Sequence, residues 1–325
     1  MGTSLVDPWI RVRIGTPDIF ALVGGMVEAH DEPVATATWL SHYLLCKEAR
    51  GRGHEALFGG LGGDELNAGE YEHFFFFFAD LKHAGREQEL DLETERWIAY
   101  HDHPLYRKSR EVMRDAVAQL ADLNVPGSCR PNRPRLLRYR SALRPEFFAL
   151  EKFDPPMDRI FSSYLKNRTC QDLIRETIPC CLRAEDRNAA AFDLDHFLPF
   201  LDHRLVEFMF RVPGTLKIRR GVTKHLLREA MREILPEETR TRIQKVGWNA
   251  PAHVWFSGPG REALLDLVRS RSFRERGIYV AAEVERLILE HDRIVSTGEI
   301  RENHMMFLWQ LLNLELWLRS GQGSL

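Results

Sequence analysis

The chain has 325 residues, of which 44% are hydrophobic and 28% are charged, a composition typical of a globular protein with a buried core. A formal net charge of -2 predicts no broad attraction to nucleic acid or to an anionic membrane. The five cysteines form no CxxC motif, and the longest early apolar run, Phe20–Val27, is too short to span a bilayer. We therefore expect reduced thiols and a cytoplasmic location.

The first predicted elements lead to a glycine-rich loop. Apolar residues recur at helical spacing from Trp39 to Ala49, and a short apolar run follows at Ala56–Phe58. The loop after this run contains Gly59, Gly60, Gly62 and Gly63. Two carboxylates, Asp64 and Glu65, come next. This order is typical of a buried strand whose carboxyl end opens into the binding loop of an α/β sheet.

Two interpretations of this loop remain open. Glycines allow a backbone to approach a polyanion closely, and a carboxylate just beyond them can hold Mg²⁺ that bridges phosphate oxygens. On this interpretation Asp64 is the metal ligand. Alternatively, the stretch is a simple strand-to-helix turn in which Asp64 or Glu65 is the N-cap.

The middle of the chain contains little that indicates chemistry. Five consecutive phenylalanines, Phe74–Phe78, predict a buried helical segment of the core. From residue 87 to residue 144 the charge density rises, and Asp122–Gly127 predicts a connecting loop.

The second half of the chain is predicted to be mostly helical. An alanine-rich helix is expected to carry Glu185, Asp186 and Arg187 at its start and Asp193 and Asp195 at its end, and such charges usually cap helices or pair with one another. Asp202 is predicted to cap a helix over 203–210.

Further helices are predicted over 224–235, 281–295 and 303–319, the last apolar on most sides and therefore part of the core. A basic loop over 240–248 contains Lys245. Basic loops are generally solvated, but a polyphosphate site needs cations, so Lys245 is a candidate for binding phosphate.

Five stretches, taken together and in order, resemble the synthetase domain of glutamine-dependent asparagine synthetases, which belong to the ATP pyrophosphatase superfamily. These stretches are Asp31–Pro33, Gly60–Glu65 with Gly69 and Tyr71, Glu185–Asn188 with Pro199–Asp202, Lys224–Arg228 followed by Arg242–Trp255, and Leu308–Trp309 with Leu314–Trp317. The resemblance implies an α/β fold, with a partial doubly wound parallel sheet of the adenine nucleotide alpha hydrolase type and a large, mostly α-helical C-terminal part.

The same resemblance implies one domain over residues 1–325. Its parts would be a sheet remnant with the glycine loop (1–73), a helical or irregular insert (74–150) and a helical part (151–325). The family's Ser-Gly-Gly-x-Asp-Ser pyrophosphate loop occurs nowhere in the sequence. We therefore expect a synthetase domain that lacks the family's first strands and the backbone phosphate donors of that loop.

The chemistry implied by the resemblance is that of an ATP-dependent ligase that forms an amide. A carboxylate substrate, most simply aspartate, would be activated as an acyl-adenylate, and ammonia from a glutaminase domain or subunit would displace AMP. The implied cofactors are ATP and Mg²⁺. Asp64 would bind the metal, and Gly60, Gly62 and Gly63 would allow pyrophosphate to approach. Lys245 would balance charge on the phosphates, and Asp195 would be the carboxylate at the intermediate site.

Two positions depart from the family pattern. Asp195 stands where the family has glutamate, and Phe197 stands where it has arginine. One expectation is that the chain is a ligase only within a larger protein or complex, as a homo- or hetero-oligomer, and is inactive in isolation. The other is that it is a catalytically silent binding or assembly subunit. In both cases an unpaired apolar strand edge predicts aggregation or a need for a partner.

Overall fold

The computed structural model describes residues 10–12, 18–100, 103, 106–120, 137–148, 159–244, 250–299 and 301–321. Within these ranges the protein is a mostly helical α/β structure with one two-stranded sheet. No helix in the described ranges is long and apolar enough to cross a membrane.

The elements follow one another from the N-terminal side to the C-terminal side. The first group is α1 (Ile19–His30), α2 (Thr38–Gly51), β1 (Ala56–Phe58), α3 (Gly63–Asn67), α4 (His73–His83), α5 (Glu87–Ala99) and α6 (Arg110–Gln119). The second group is α7 (Tyr164–Ile174), α8 (Thr177–Ala190), β2 (Asp195–Phe197), α9 (His203–Arg211), α10 (Gly214–Lys217), α11 (His225–Ala230) and α12 (Glu237–Thr241). The last group is α13 (Ala252–Trp255), α14 (Pro259–Arg269), α15 (Arg271–Arg276), α16 (Ala281–Thr297) and α17 (Met305–Arg319). Short 3₁₀ turns lie at Arg140–Ala142, Pro145–Phe147 and Pro199–Leu201.

The sheet has one covered face and one open face. Strands β1 and β2 are parallel, and Ala56, Leu57 and Phe58 pair with Asp195, His196 and Phe197. Leu57 and His196 are partly buried on one face, whereas the alternate residues point to the other face and are exposed. The parallel α/β sheet is thus confirmed. Two strands in the described ranges are too few to define a doubly wound order, which stays a prediction.

The largest hydrophobic core joins the N-terminal helices to the end of the chain. Helix α17 lies at its centre, and the indole nitrogen of Trp309 donates a 2.8 Å hydrogen bond to the carbonyl of Val34. The predicted core helix over 303–319 is confirmed, with its start at Met305.

A second core surrounds the phenylalanine run. Four of its five members are buried, on α4, with Trp97 and Tyr164. The interpretation of this run as core is confirmed. Because this core couples α4 to α7, it also supports the glycine loop that precedes α4.

Both predicted ends of the alanine-rich helix were wrong. Helix α8 begins at Thr177, so Glu185, Asp186 and Arg187 lie in its second half rather than at its start. Asp195 does not end the alanine-rich helix: α8 ends at Ala190, Asp193 adopts a left-handed conformation with φ of 55°, and Asp195 begins β2. The amide of Asp195 donates to the carbonyl of Glu55 at 2.9 Å. Pairing with a distant strand therefore ended the helix earlier than its alanine content indicated.

Two other predicted helices can be compared with the structure. The segment over 224–235 forms a shorter helix than predicted, α11, which ends at Ala230. The predicted cap at Asp202 is confirmed, since its side chain accepts a hydrogen bond from the amide of Arg204 at the start of α9.

Candidate functional site

The glycine loop ends at a carboxylate that is paired with a lysine. Strand β1 leads into the loop, and Gly62, with φ of 89°, precedes the short helix α3. Asp64 is the second residue of this helix, and its Oδ1 lies 2.9 Å from Nζ of Lys224. Because the cap position is Gly62 and no side chain caps the helix, the N-cap interpretation of Asp64 and Glu65 was wrong.

The pair depends on a glycine at position 69. A Cβ atom at Gly69 would lie 1.8 Å from Oδ1 of Asp64 and 2.4 Å from Cε of Lys224. Backbone hydrogen bonds hold the same region together, from the amide of Gly69 to the carbonyl of Asp64 (2.8 Å) and from the amide of Lys224 to the carbonyl of Asn67 (3.1 Å). The backbone after α3 and the segment before α11 therefore form one wall.

The loop glycines pack against the segment that follows β2. A Cβ atom at Gly62 would lie 2.5 Å from the side chain of Leu201, and one at Gly63 would lie 3.3 Å from Phe200. By contrast, a Cβ atom at Gly60 would meet nothing within 4 Å. Packing within the protein thus accounts for the small residues at 62 and 63, and the roles of Gly60, Gly62 and Gly63 toward pyrophosphate stay predictions.

A basic cleft of about 300 Å³ opens beside the Asp64–Lys224 pair. Three arginines line it, namely Arg228, Arg240 and Arg242. Burial, reinforced by the positive charges of Arg242 and Arg240, lowers the pKa of Arg228. Guanidinium groups that crowd together in this way favour an anion with several oxygen atoms.

Arg228 also fixes the shape of the cleft. Its Nε donates to the carbonyl of Thr223 at 2.9 Å, and its Nη1 donates to the carbonyl of Arg240 at 2.6 Å. Arg240 in turn forms ion pairs with Glu237 at 2.6 Å and Glu229 at 3.4 Å. Arg228 therefore links α11 to the segment before it and to α12 by side chain to backbone hydrogen bonds.

A buried carboxylate supports the chain before Lys224. Glu93, 5% exposed, accepts hydrogen bonds from the amides of Arg220 (2.8 Å) and Gly221 (2.7 Å). A Cβ atom at Gly221, whose φ is 68°, would lie 2.7 Å from the backbone of Arg96. The turn is thus docked on α5, and it delivers Lys224 to the cleft.

A second buried network lies under the loop. Nε2 of His73 lies 3.2 Å from a carboxylate oxygen of Asp172, and Arg168 also donates to that carboxylate. Burial alone would raise the pKa of Asp172, but the hydrogen bonds from His73 and Arg168 outweigh it and lower the pKa to about 2. This network joins α4 to α7 behind the site.

The structure brings together only part of the predicted site. Asp64 borders the cleft, as does Gln244. Lys245, the residue after Gln244, lies outside the described residues. Asp195 is exposed, pairs with Ala56 at the amino end of the strands, and does not line the cleft. Since parallel strands advance about 3.3 Å per residue, the pairing places Asp195 at the end of the sheet opposite the glycine loop.

Sequence analysis missed Lys224 as the partner of Asp64 and missed a second polar cluster, formed by His42, Glu185 and His196. Lys224 already stood in one of the matching stretches, and Glu185 was a conspicuous charge on an alanine-rich helix. His42 carried no signal, because it lies far from the other two in the chain. No short spacing motif could have joined the three.

The fold and the cleft define the class of the protein. It is a mostly helical α/β protein in which a glycine-rich loop, at the carboxyl end of a parallel strand, leads to a carboxylate beside a basic cleft. The chain belongs to the asparagine synthase family, whose model matches residues 5–319.

Individual relatives match over shorter stretches. Asparagine synthetase [glutamine-hydrolyzing] 1 of Bacillus subtilis is 26% identical over 133 residues, which is 40% of this chain and 20% of the relative. Asparagine synthetase of Gallus gallus is 38% identical over 82 residues, 23% of this chain and 14% of the relative. The amidase chry2 of Gibberella zeae is 32% identical over 85 residues, 24% of this chain and 12% of the relative. The matched parts therefore span a fifth or less of the length of these relatives.

Proposed function

We propose that the protein is an ATP-dependent ligase of the asparagine synthase type, which forms an amide from a carboxylate substrate and ammonia. Membership of the family supports this reaction class. The observation that carries the proposal is the Asp64–Lys224 pair at the end of the glycine loop, beside a cleft lined by three arginines. A cleft of this charge suits the phosphates of ATP and the pyrophosphate that leaves.

The residues of the cleft suit binding and charge stabilisation. Lys224 would pair with a phosphate oxygen, and Arg242 would stabilise the negative charge that develops on pyrophosphate as its bond breaks. Arg228 would act by positioning, because its donors hold the backbone of both cleft walls. Lys245, which follows the cleft residue Gln244 in the chain, is proposed to add a further cation.

Asp64 fits a Mg²⁺ ion that is shared with the substrate. In proteins this ion is commonly held by one or two carboxylates, several waters and phosphate oxygens. The Asp64 side chain is 31% exposed beside the cleft, so it offers one accessible carboxylate and leaves the remaining ligands to phosphate and water. The ion would neutralise charge on the phosphate oxygens.

The carboxylate substrate proposed is aspartate, by analogy with relatives that are named asparagine synthetases. Ammonia would come from a glutaminase domain or subunit. Asp195 keeps its proposed role at the intermediate site only if the exposed face of β2 is completed by further chain. We therefore propose that activity belongs to a larger protein or complex rather than to this chain in isolation.

Binding of inorganic pyrophosphate and of MgATP, measured by calorimetry on the purified chain, tests the cleft. Lys224→Met removes a charge-assisted hydrogen bond, so we expect pyrophosphate to bind about tenfold more weakly or worse. Lys82→Met removes an exposed lysine that does not line the cleft and should leave binding unchanged. Equal binding by the two variants would remove Lys224 from the site.

The reaction is tested by aspartate-dependent ATP–pyrophosphate exchange in the complex isolated from its own cells. We expect Asp64→Asn and Lys245→Ala each to abolish exchange. Asp193→Asn is the matched control, because this exposed carboxylate pairs with Arg50 and does not line the cleft. If Asp64→Asn leaves exchange unchanged, Asp64 is excluded as the Mg²⁺ ligand.

One observation favours a second candidate function, that of a catalytically silent assembly subunit. Phe197 replaces the family's arginine, is 48% exposed and stacks on Phe58, which is 76% exposed, at a ring distance of 5.2 Å. An apolar pair on an open sheet face suits contact with protein. A complex that binds its partner through this face but shows no exchange would favour the second function.

A further inference from the structure

A cluster of three potential metal ligands lies beneath the covered face of the sheet. His42 comes from α2, Glu185 from α8 and His196 from β2, so three separate elements converge there. One ring nitrogen of each histidine and one carboxylate oxygen of Glu185 all lie within 4.8 Å of one another. We propose that these three residues bind a divalent transition-metal ion, for which Zn²⁺ is the best fit.

One distance between ligand atoms in the cluster is close to that of a tetrahedral site. Ligand atoms about 2.0–2.1 Å from a tetrahedral zinc ion are separated from each other by about 3.4 Å. Nε2 of His196 lies 3.6 Å from Oε2 of Glu185, and the centroids of the two imidazole rings are 5.5 Å apart. The three ligand atoms, all within 4.8 Å of one another, would have to draw together by up to about 1.4 Å to share a tetrahedral ion.

Burial makes the cluster costly without a cation. The side chains of Glu185 and His196 are only 8% and 7% exposed, and His42 is 5% exposed. Within the described residues, Oε2 of Glu185 has no hydrogen-bond donor. A buried carboxylate oxygen without a hydrogen-bond donor loses its hydration, and the 3.6 Å contact with His196 replaces only part of it. A bound metal ion would supply the missing interaction.

His42 is held in place by a neighbouring amide. Nδ2 of Asn188 lies 3.1 Å from Nδ1 of His42 and 3.0 Å from the carbonyl of Trp39, while Oδ1 of Asn188 lies 2.7 Å from Nε2 of His30. Metal-binding histidines commonly donate their other ring N–H to a carboxylate, a carbonyl or water, whereas the Asn188 amide donates to Nδ1 of His42 and so leaves the proton of the neutral ring on Nε2. The contact fixes the ring of His42, and an ion that binds Nε2 must displace the proton held there.

The types of ligand and the cavity beside the cluster indicate which ion fits. Two imidazoles and one carboxylate suit Zn²⁺, whereas Mg²⁺ and Ca²⁺ prefer oxygen ligands throughout. This chemistry separates the cluster from the Mg²⁺ proposed at Asp64. The three residues border a cavity of about 330 Å³ that is also lined by Leu57 and Phe58. Three protein ligands beside a cavity leave a fourth position for water or another small ligand.

The test is to titrate Zn²⁺ and Co²⁺ into chain that has been stripped with EDTA. Cys180 is an exposed free thiol beside Cys181, so both are first changed to serine to prevent zinc binding there. We expect one ion per chain at micromolar concentration and, for Co²⁺, the visible absorption of a tetrahedral site. Failure to bind either ion at micromolar concentration would overturn the proposal.

Variants of the cluster residues test whether the ion binds there. Glu185→Gln and His196→Asn should each weaken binding at least tenfold, because each removes one of three protein ligands. Glu48→Gln and His54→Gln are matched controls, since both residues line the same cavity but lie outside the cluster. Undiminished stoichiometry and affinity in Glu185→Gln would also overturn the proposal.

Thermal unfolding separates lost binding from lost folding. Zn²⁺ should raise the Tm of the wild-type protein and of the control variants, because it binds the folded state. It should not raise the Tm of Glu185→Gln, although that variant should still unfold cooperatively without metal. A Zn²⁺-dependent rise in Tm of the same size in Glu185→Gln and the wild-type protein would contradict the assignment. Because the readouts are binding and stability, the outcome is independent of the proposed ligase reaction.

Discussion

Nζ of Lys224 lies 2.9 Å from Oδ1 of Asp64, and the two side chains occupy the space that any side chain at position 69 would need. The pair is about one-third exposed, so the ionic contact by itself contributes about 1 kcal/mol or less to folding. Its importance lies in position, because it sets a carboxylate and an ammonium at the edge of the basic cleft.

Replacing Gly69 should therefore damage both packing and binding. In Gly69→Ala the new methyl group would overlap Oδ1 of Asp64 and Cε of Lys224, so we expect the free energy of unfolding to fall by about 1–3 kcal/mol. Pyrophosphate binding should weaken as the pair separates. Urea unfolding and calorimetry measure the two effects. In the control for stability, Gly60→Ala, the methyl group would meet nothing within 4 Å, and we expect the free energy of unfolding to change by no more than about 0.5 kcal/mol.

His304 should make the protein less stable in mild acid. This side chain is 1% exposed, and burial, followed by the charge of Arg138, lowers its pKa to about 4. Between its ordinary pKa of 6.5 and pH 4, the unfolded chain binds a proton that the folded chain does not. The free energy of unfolding should therefore fall as pH drops through this window, by up to about 3 kcal/mol from this residue.

Two variants check the assignment to His304. His304→Gln cannot titrate, yet keeps a polar group near Tyr139, 3.0 Å from Nδ1, and Glu290, 3.4 Å from Nε2. Urea unfolding between pH 7 and pH 4 should give a shallower loss of stability for this variant than for the wild-type protein. The exposed His83, replaced by glutamine, should leave the slope unchanged. Identical slopes for His304→Gln and the wild type would contradict the prediction.

Lys217 should be replaceable with a gain in stability. It is 1% exposed, its Nζ has no hydrogen-bond acceptor within the described ranges, and the ring of Phe210 lies 5.3 Å from it. Burial, followed by repulsion from Lys166, lowers its pKa to about 8. Lys217→Met keeps the volume and removes the buried charge, so we expect the free energy of unfolding to rise by about 1–3 kcal/mol at pH 7.

The pH dependence of stability shows whether Lys217→Met gains stability by removing a buried charge or by better packing. Between pH 8 and pH 10.5 the unfolded chain holds a proton on Lys217 that the folded chain has lost, so stability of the wild-type protein should rise with pH. Lys217→Met should not show this rise. Lys166→Met removes the repulsion from the neighbouring lysine but leaves Lys217 titratable, so this variant should keep part of the rise. A Lys217→Met variant less stable than the wild type at pH 7 would refute the prediction.

The open face of the sheet should drive self-association of the isolated chain. Phe58 and Phe197 are stacked and exposed on short strands, and exposed apolar strands pair readily with other chains. We expect Phe58→Ser to shift the protein toward monomer in sedimentation velocity. Leu289→Ser, at a residue that is 51% exposed on α16, should have little effect. A monodisperse, cooperatively melting wild-type monomer would show that the face needs no partner.

Several features could be predicted because they depend on neighbouring residues. The phenylalanine run and the apolar C-terminal helix predicted buried helices from periodicity and composition alone, and both are buried. The cap at Asp202 follows from one side chain and the amide two residues later. The glycine loop was placed correctly after β1, although its helix is capped by Gly62 rather than by a carboxylate.

Other features required the folded chain. The alanine-rich stretch indicated helix through Asp195, but pairing with Ala56, more than a hundred residues away, turned this residue into a strand. The same pairing separated Asp195 from the cleft that Asp64 borders. Helix propensities of ordinary residues differ by only tenths of a kcal/mol. Long-range strand pairing and packing therefore decide whether such a residue lies in a helix or in a strand.

The sequence by itself determined the family, the glycine loop and the core helices, because each depends on residues that are consecutive or periodically spaced. Only the tertiary structure decided that Lys224 pairs with Asp64 and that His42 meets Glu185 and His196. The physical reason is that these contacts join elements far apart in the chain, whose approach depends on how the helices pack around two short strands. The spacing of residues along the chain therefore cannot predict these contacts.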